Sequence, residues 1–86
     1  MVKSPEQKSI QIHYYALLRE QRGLPTEALL TNVQTARQLY AELIVRYGFK
    51  LKLDILKVAI NNEFSDWDTV LKDNDTVVFI PPVAGG

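Results

Sequence analysis

The sequence predicts an α+β roll in which one main helix lies across a mixed sheet. Three observations carry that expectation. An alternating apolar segment stands at residues 9–15, and an apolar stripe at three- and four-residue spacing runs through the middle of the chain. A four-residue apolar run, Val77 to Ile80, follows within residues 76–80. Period two marks a half-buried strand, and a period near 3.6 marks a helix with one buried face.

Taken in order, residues 1–8 (MVKSPEQK) are polar and aperiodic and read as a loose N-terminal extension. In residues 9–15, Ile10, Ile12 and Tyr14 point one way while Gln11, His13 and Tyr15 point the other. Residues 16–22 (ALLREQR) favour a short helical turn, which Gly23 and Pro25 stop. Residues 26–31 (TEALLT) follow a tight connection and read as a second strand.

The main helix takes Asn32 as its candidate N-cap. Val33, Ala36, Leu39, Tyr40, Leu43, Ile44 and Tyr47 then recur along one face, and Gly48 stands where a left-handed C′ residue is expected. Such a stripe, about four turns long, must lie across a sheet. Residues 49–54 form a connection with apolar anchors, or a short strand. Residues 56–60 read as a strand, Asn61-Asn62 supplies the positive φ values of a two-residue hairpin turn, and residues 63–65 return. After a turn at residues 71–75 (LKDND), the run 76–80 (TVVFI) is apolar on both faces, as suits a central strand. This order, one amphipathic helix over one mixed sheet, is the β-grasp roll that ubiquitin adopts, with the first and last strands parallel neighbours at its centre. The domain then spans residues 9–80, and residues 81–86 protrude from it.

Composition narrows the function. The 86 residues make one small domain, and a hydrophobic share of 47% suits a packed core. Ten basic side chains cancel ten acidic ones, which argues against a nucleic-acid or anionic-membrane partner, since both need a positive field. No apolar run approaches the ~18 residues of a membrane span, and no signal-peptide core follows Met1, so a soluble, cytoplasmic protein is expected. Cysteine is absent, which excludes disulfides, thiolate metal sites and a nucleophilic thiol. Any sulfur this chain handles must sit on another group.

The strongest functional signal is the run Pro81-Pro82-Val83-Ala84-Gly85-Gly86. Two prolines lock φ and remove two backbone donors, so they end the strand and hold the tail off the body. Gly85 and Gly86 carry no Cβ, so a tail ending on them can thread a narrow channel and offer an unhindered carboxylate. That combination describes a stiff base with a slim reactive tip.

Residues 14–20 (YYALLRE), the 71–75 turn and the ending Phe79-Ile80-Pro81-Pro82-Val83-Ala84-Gly85-Gly86 together give the chain a family likeness. It resembles the MoaD-type sulfur carriers, small subunits of molybdopterin synthase, from residue 9 to residue 86. Ala84 stands where that family often has Thr or Ser, and Asn74 where Gly is frequent; both are small or turn-tolerant replacements. The resemblance implies a concrete chemistry. The Gly86 carboxylate would be adenylated by an ATP-using activating enzyme, the sense in which the chain is nucleotide-binding, and then converted to a thiocarboxylate by a sulfur-donating enzyme. The sulfur would pass to a cyclic pyranopterin monophosphate in the large subunit, within a heterotetramer. No cofactor would be held permanently. A thiamine-type sulfur carrier and a ubiquitin-like protein modifier are the alternative readings.

Partner-binding candidates follow from the same likeness. Pro81, Pro82, Val83 and Ala84 would enter the large subunit with the tail. Tyr15, Phe64 and Ile80 are either core residues or a hydrophobic docking patch on the open sheet face. Arg19 would pair with an acidic group of a partner, or cap its own short helix. His13 has no Asp, Glu or second His at ligand-like spacing and reads as a strand residue facing solvent or a partner. Asp66, Asp68, Asp73 and Asp75 lack the spacing of a calcium loop and read as turn formers, so no metal site is expected. Lys50, Lys52 and Lys57 read as a solvated strip.

Overall fold

In a computed structural model that describes residues 7–82, the alternating segment forms strand β1 (Lys8–Tyr14) and is followed by helix α1 (Ala16–Arg22). Strand β2 (Thr26–Thr31), helix α2 (Ala36–Tyr47) and a 3-10 turn (Leu53–Ile55) come next, then strands β3 (Lys57–Ile60), β4 (Glu63–Ser65) and β5 (Thr76–Ile80). The strands form one sheet in the order β2-β1-β5-β3-β4. β1 and β5 are parallel, and the other pairs are antiparallel. The last strand is thus central, with the first as its parallel neighbour, as the sequence predicts.

Register explains the core. Ile12 lies opposite Val77, which lies opposite Ile60; Tyr14 lies opposite Phe79, which lies opposite Val58. All six are buried, and Ala36, Leu39, Tyr40 and Leu43 of α2 cover them. Aromatic rings fill the middle: Tyr40 sits 5.2 Å from Phe79, and Trp67 stacks on Phe79 at 5.9 Å. Buried Tyr40 donates its hydroxyl to the Leu51 carbonyl at 2.6 Å, and burial pushes its pKa up to about 12.

Several boundaries differ from expectation, each for a physical reason. β1 begins at Lys8, whose Nζ donates to the Val33 carbonyl at 3.0 Å, so Lys8 belongs to the domain rather than to an extension. Residues 1–6 lie outside the described residues. Tyr15 is not in the strand but is the N-cap residue of α1. The cap of α2 is Thr35, not Asn32: the Thr35 hydroxyl accepts the Gln38 N–H at 3.2 Å, and Gln38 Oε1 accepts the Gln34 N–H. Upstream, the Leu71 N–H donates to the Gln34 carbonyl and Thr35 bridges Val70, which holds the chain extended. The Thr69 and Trp67 carbonyls accept the Ala36 and Arg37 N–H groups of the first helical turn. Tertiary hydrogen bonds therefore move the helix start three residues on. Residues 49–54 form no strand, although Phe49 is buried between Tyr14 and Tyr40. β5 is central, as its apolar residues suggest, but its two faces differ: Val77 and Phe79 are buried under α2, while Thr76, Val78 and Ile80 are half-buried on the opposite face.

The turns behave as their residues demand. Asn61 and Asn62 have φ of 52° and 72° between paired Ile60 and Glu63, and Asn74 has φ of 71°. Asp75 is buried; its Oδ1 accepts from Asn61 Nδ2 at 2.8 Å and its Oδ2 from the Lys72 N–H at 2.7 Å. Asp73 accepts the Ser9 N–H at 2.7 Å, and Asp68 pairs with Arg37. Asp73 thus ties its turn to β1, Asp75 ties the same turn to the β3–β4 hairpin turn, and Asp68 ties its loop to α2. Among the described residues, no group of three or more His, Cys, Asp or Glu is placed to hold a metal.

Candidate functional site

Parallel pairing of β1 with β5 decides where the tail leaves the sheet. With Tyr14 opposite Phe79, the residues that follow, Tyr15 and Ile80, emerge at the same end. There the chain after β1 turns into α1, and the chain after β5 runs into Pro81 and Pro82. A cleft of about 600 Å³ opens between them, lined by Tyr15, Ala16, Leu17 and Glu20 on one side, by Ile80, Pro81 and Pro82 on the other, and by Leu51. Pro81 is buried and Pro82 exposed, so the first proline is packed into the domain and the second stands at its surface.

The open sheet face adds a second surface, along which one row is polar over β2 and β1 and apolar over β5, β3 and β4. Thr26, His13, Val78, Ala59 and Phe64 align in register across all five strands. Phe64 is 74% exposed at the β4 edge, where it also lines a 500 Å³ hollow with Trp67. Ile80 follows Val78 by two residues on the same face, and so links this row to the cleft.

The candidate residues can now be placed. Tyr15 (50% exposed), Ile80, Pro81 and Pro82 meet in the cleft. Phe64 lies across the sheet on the open face, outside that cleft. The core alternative for Tyr15, Phe64 and Ile80 is therefore wrong: two are exposed and Ile80 is half-buried. Arg19 is exposed on α1 but is not part of the cleft lining. Val83, Ala84, Gly85 and Gly86 lie outside the described residues. Sequence reasoning missed Leu17, because adjacent leucines in a seven-residue helix do not reveal which one faces out, and Leu51, because it lies in the connection after α2, where no periodicity marks a face. It also missed the charge cluster behind the cleft.

That cluster centres on Glu27, which occupies a core-facing position opposite Ile12. A carboxylate in such a register needs partners, and this was a legible signal. Glu27 accepts from Arg22 Nε at 3.1 Å and Nη2 at 2.9 Å, from the Tyr14 hydroxyl, and from the Tyr47 hydroxyl at 3.2 Å. The Arg22 guanidinium lies 4.0 Å from the centre of the Tyr47 ring. The Arg22 bonds, helped by Tyr14 and Tyr47, hold the Glu27 carboxyl below its usual range; burial, then Glu27 itself, raises the Tyr14 hydroxyl. The cluster ties α1, β1, β2 and α2 together and stiffens the cleft's α1 wall.

Glu27→Gln should lower stability by about 2 kcal/mol, because it removes charge-assisted bonds from a half-buried group. Since the folded Glu27 pKa is depressed, its contribution is present at neutral pH and is lost as pH falls from about 4 through the folded value. Chemical denaturation of both proteins from pH 7 to pH 2 checks this: their stabilities should converge in acid. A gap that stays constant down to pH 2 contradicts the assignment.

The central parallel pair, the single covering helix and the tail exit beside it define a ubiquitin-like β-grasp protein. The crystal structure of small archaeal modifier protein 1 from Haloferax volcanii shares this fold: TM-score 0.76, 22% identity, covering 91% of this chain and 99% of that one. The chain belongs to the ThiS family, whose sequence profile matches residues 12–86. It is 31% identical over 80 residues to the molybdopterin synthase sulfur carrier subunit of Escherichia coli (strain K12), across 90% of this chain and 99% of that protein. A chain in the complex of subunits 1 and 2 of molybdopterin-converting factor from Helicobacter pylori 26695 is also similar, with TM-score 0.62 and 26% identity, covering 91% of this chain and 99% of that chain. The protein is thus a ubiquitin-like domain of the MoaD/ThiS sulfur-carrier type. No helix among the described residues is long and apolar enough to cross a membrane.

Proposed function

We propose that this chain is the sulfur-carrier subunit of a molybdopterin synthase, acting in the cytoplasm, with the Gly86 carboxyl carbon as its working atom. The observation that carries the proposal is the likeness to the E. coli carrier along nearly its whole length, together with a family match that runs through Gly86.

The chemistry follows from the group. An α-carboxylate has a pKa of about 3.5, so it is ionised at pH 7 and is a poor electrophile. Its oxygen attacks the α-phosphate of ATP on an activating enzyme, pyrophosphate leaves, and an acyl-adenylate forms. Sulfide displaces AMP directly, or a donor enzyme's persulfide sulfur displaces it to give an acyl disulfide. A second thiol of the donor enzyme then cleaves that S–S bond, leaving the enzyme as a disulfide; either route gives the thiocarboxylate. The thiocarboxylate sulfur is soft and nucleophilic where the carboxylate oxygen was not. After sulfur attacks the cyclic pyranopterin monophosphate in the large subunit, water takes the acyl group and restores the carboxylate. ATP is consumed on the activating enzyme, and this chain keeps no cofactor. A carrier that holds sulfur on its backbone needs no thiol, which fits a sequence without cysteine.

The cleft and the open-face row give the docking surface for the large subunit. Tyr15, Leu17, Phe64, Val78 and Ile80 supply apolar contact area around the tail exit, of the kind that anchors protein interfaces. Mixing the chain with a recombinant molybdopterin synthase large subunit should give a stable complex in size-exclusion chromatography. Failure to associate, with formation of a thiocarboxylate intact, assigns the carrier to another pathway.

A further inference from the structure

Ala16 holds a backbone conformation that alanine disfavours, with φ of 51°. The other non-glycine residues with positive φ among those described are asparagines in turns. Asparagine tolerates that region through local hydrogen bonds, whereas the alanine Cβ crowds the following carbonyl. The strained residue is the first of α1 and lines the cleft.

Both flanks of Ala16 are fixed. Tyr14 is buried, its N–H donates to the Pro25 carbonyl at 2.8 Å, and its hydroxyl is held by Glu27. Leu18 is buried, and its N–H donates to the Tyr15 carbonyl at 3.2 Å. Between these anchors Tyr15 and Leu17 turn outward, 50% and 41% exposed, and both line the cleft facing Ile80 and Pro82. A negative φ at position 16 redirects the chain between the same two anchors and cannot keep that outward pair. Strain of this kind persists where the surroundings over-determine it, and it concentrates at binding sites.

We infer that Ala16 is a positioning residue: its left-handed backbone sets Tyr15 and Leu17 as the jaw that receives an apolar segment of the large subunit beside the emerging tail. This rests on the reading of the chain as a synthase subunit. Three versions of position 16 test it. D-alanine, introduced by chemical ligation, prefers positive φ; it should raise Tm by about 4 °C or more and keep wild-type affinity for the large subunit within twofold. Ala16→Gly accepts either sign of φ and should also keep that affinity. Ala16→Val, a β-branched residue for which positive φ is a true outlier, should keep its far-UV spectrum and weaken binding about tenfold or more. If the valine variant does not fold, the D-alanine and glycine proteins decide. Wild-type affinity in a folded valine variant, or lost stability or binding with D-alanine, overturns the inference. Binding by no version, wild type included, overturns the functional reading and the jaw's role with it. The D-alanine melting shift then reports separately on whether the strain itself is real.

Discussion

A chain lacking only Gly86 is expected to transfer no sulfur, although it should melt and bind the large subunit much like wild type. The deletion moves the terminal carboxyl back by one residue, about 3.5 Å along an extended chain. Misplacement of a reacting group by even ~1 Å can reduce rate by about a hundredfold, so a full residue should abolish turnover. The fold is spared because the buried core lies within residues 10–79, from Ile10 to Phe79. Single-turnover conversion of the pyranopterin by the preloaded carrier, with Tm as the control, makes the measurement. Normal turnover by the shortened chain rules the mechanism out.

The second large effect is expected at Phe64. Its ring is 74% exposed, opposite Ala59 on a face that no other layer covers. Truncation of so exposed a side chain should change stability by no more than about 0.5 kcal/mol. If the ring is an interface anchor, Phe64→Ala should weaken association with the large subunit by about 2 kcal/mol, or roughly 30-fold in Kd. Calorimetric titration and thermal melts of the same two proteins separate the cases. Unchanged affinity removes Phe64 from the docking surface.

Much of this was legible in the sequence because it depends on local rules. The alternation of Ile10, Ile12 and Tyr14 fixed the buried face of β1, and Asn61-Asn62 fixed the tight hairpin, since few residues accept two successive positive φ values. Gly48 ended α2 where expected, in the left-handed conformation. The start of α2 was not legible. Asn32 is as good a cap as Thr35 in isolation, and the choice is made by carbonyls of Trp67 and Thr69, more than thirty residues away. The site divides in the same way. Its tail residues, Pro81 and Pro82, announce themselves by type, whereas the cleft exists only because parallel β1 and β5 end together. Ala16 gave no signal, because its unusual φ is imposed by the buried neighbours Tyr14 and Leu18 rather than by its own preference. Phe64, Tyr15 and Ile80 read equally well as core or surface until register placed Phe64 and Ile80 on the open face and Tyr15 at the helix cap.

Mass spectrometry of the intact protein purified from cells making molybdenum cofactor bears most directly on the proposed chemistry. Exchange of one oxygen for sulfur adds ~16 Da, and fragmentation should confine that increment to Gly86. A chain found only with its unmodified mass, or joined through Gly86 to lysines of other proteins, contradicts a sulfur-carrying terminus.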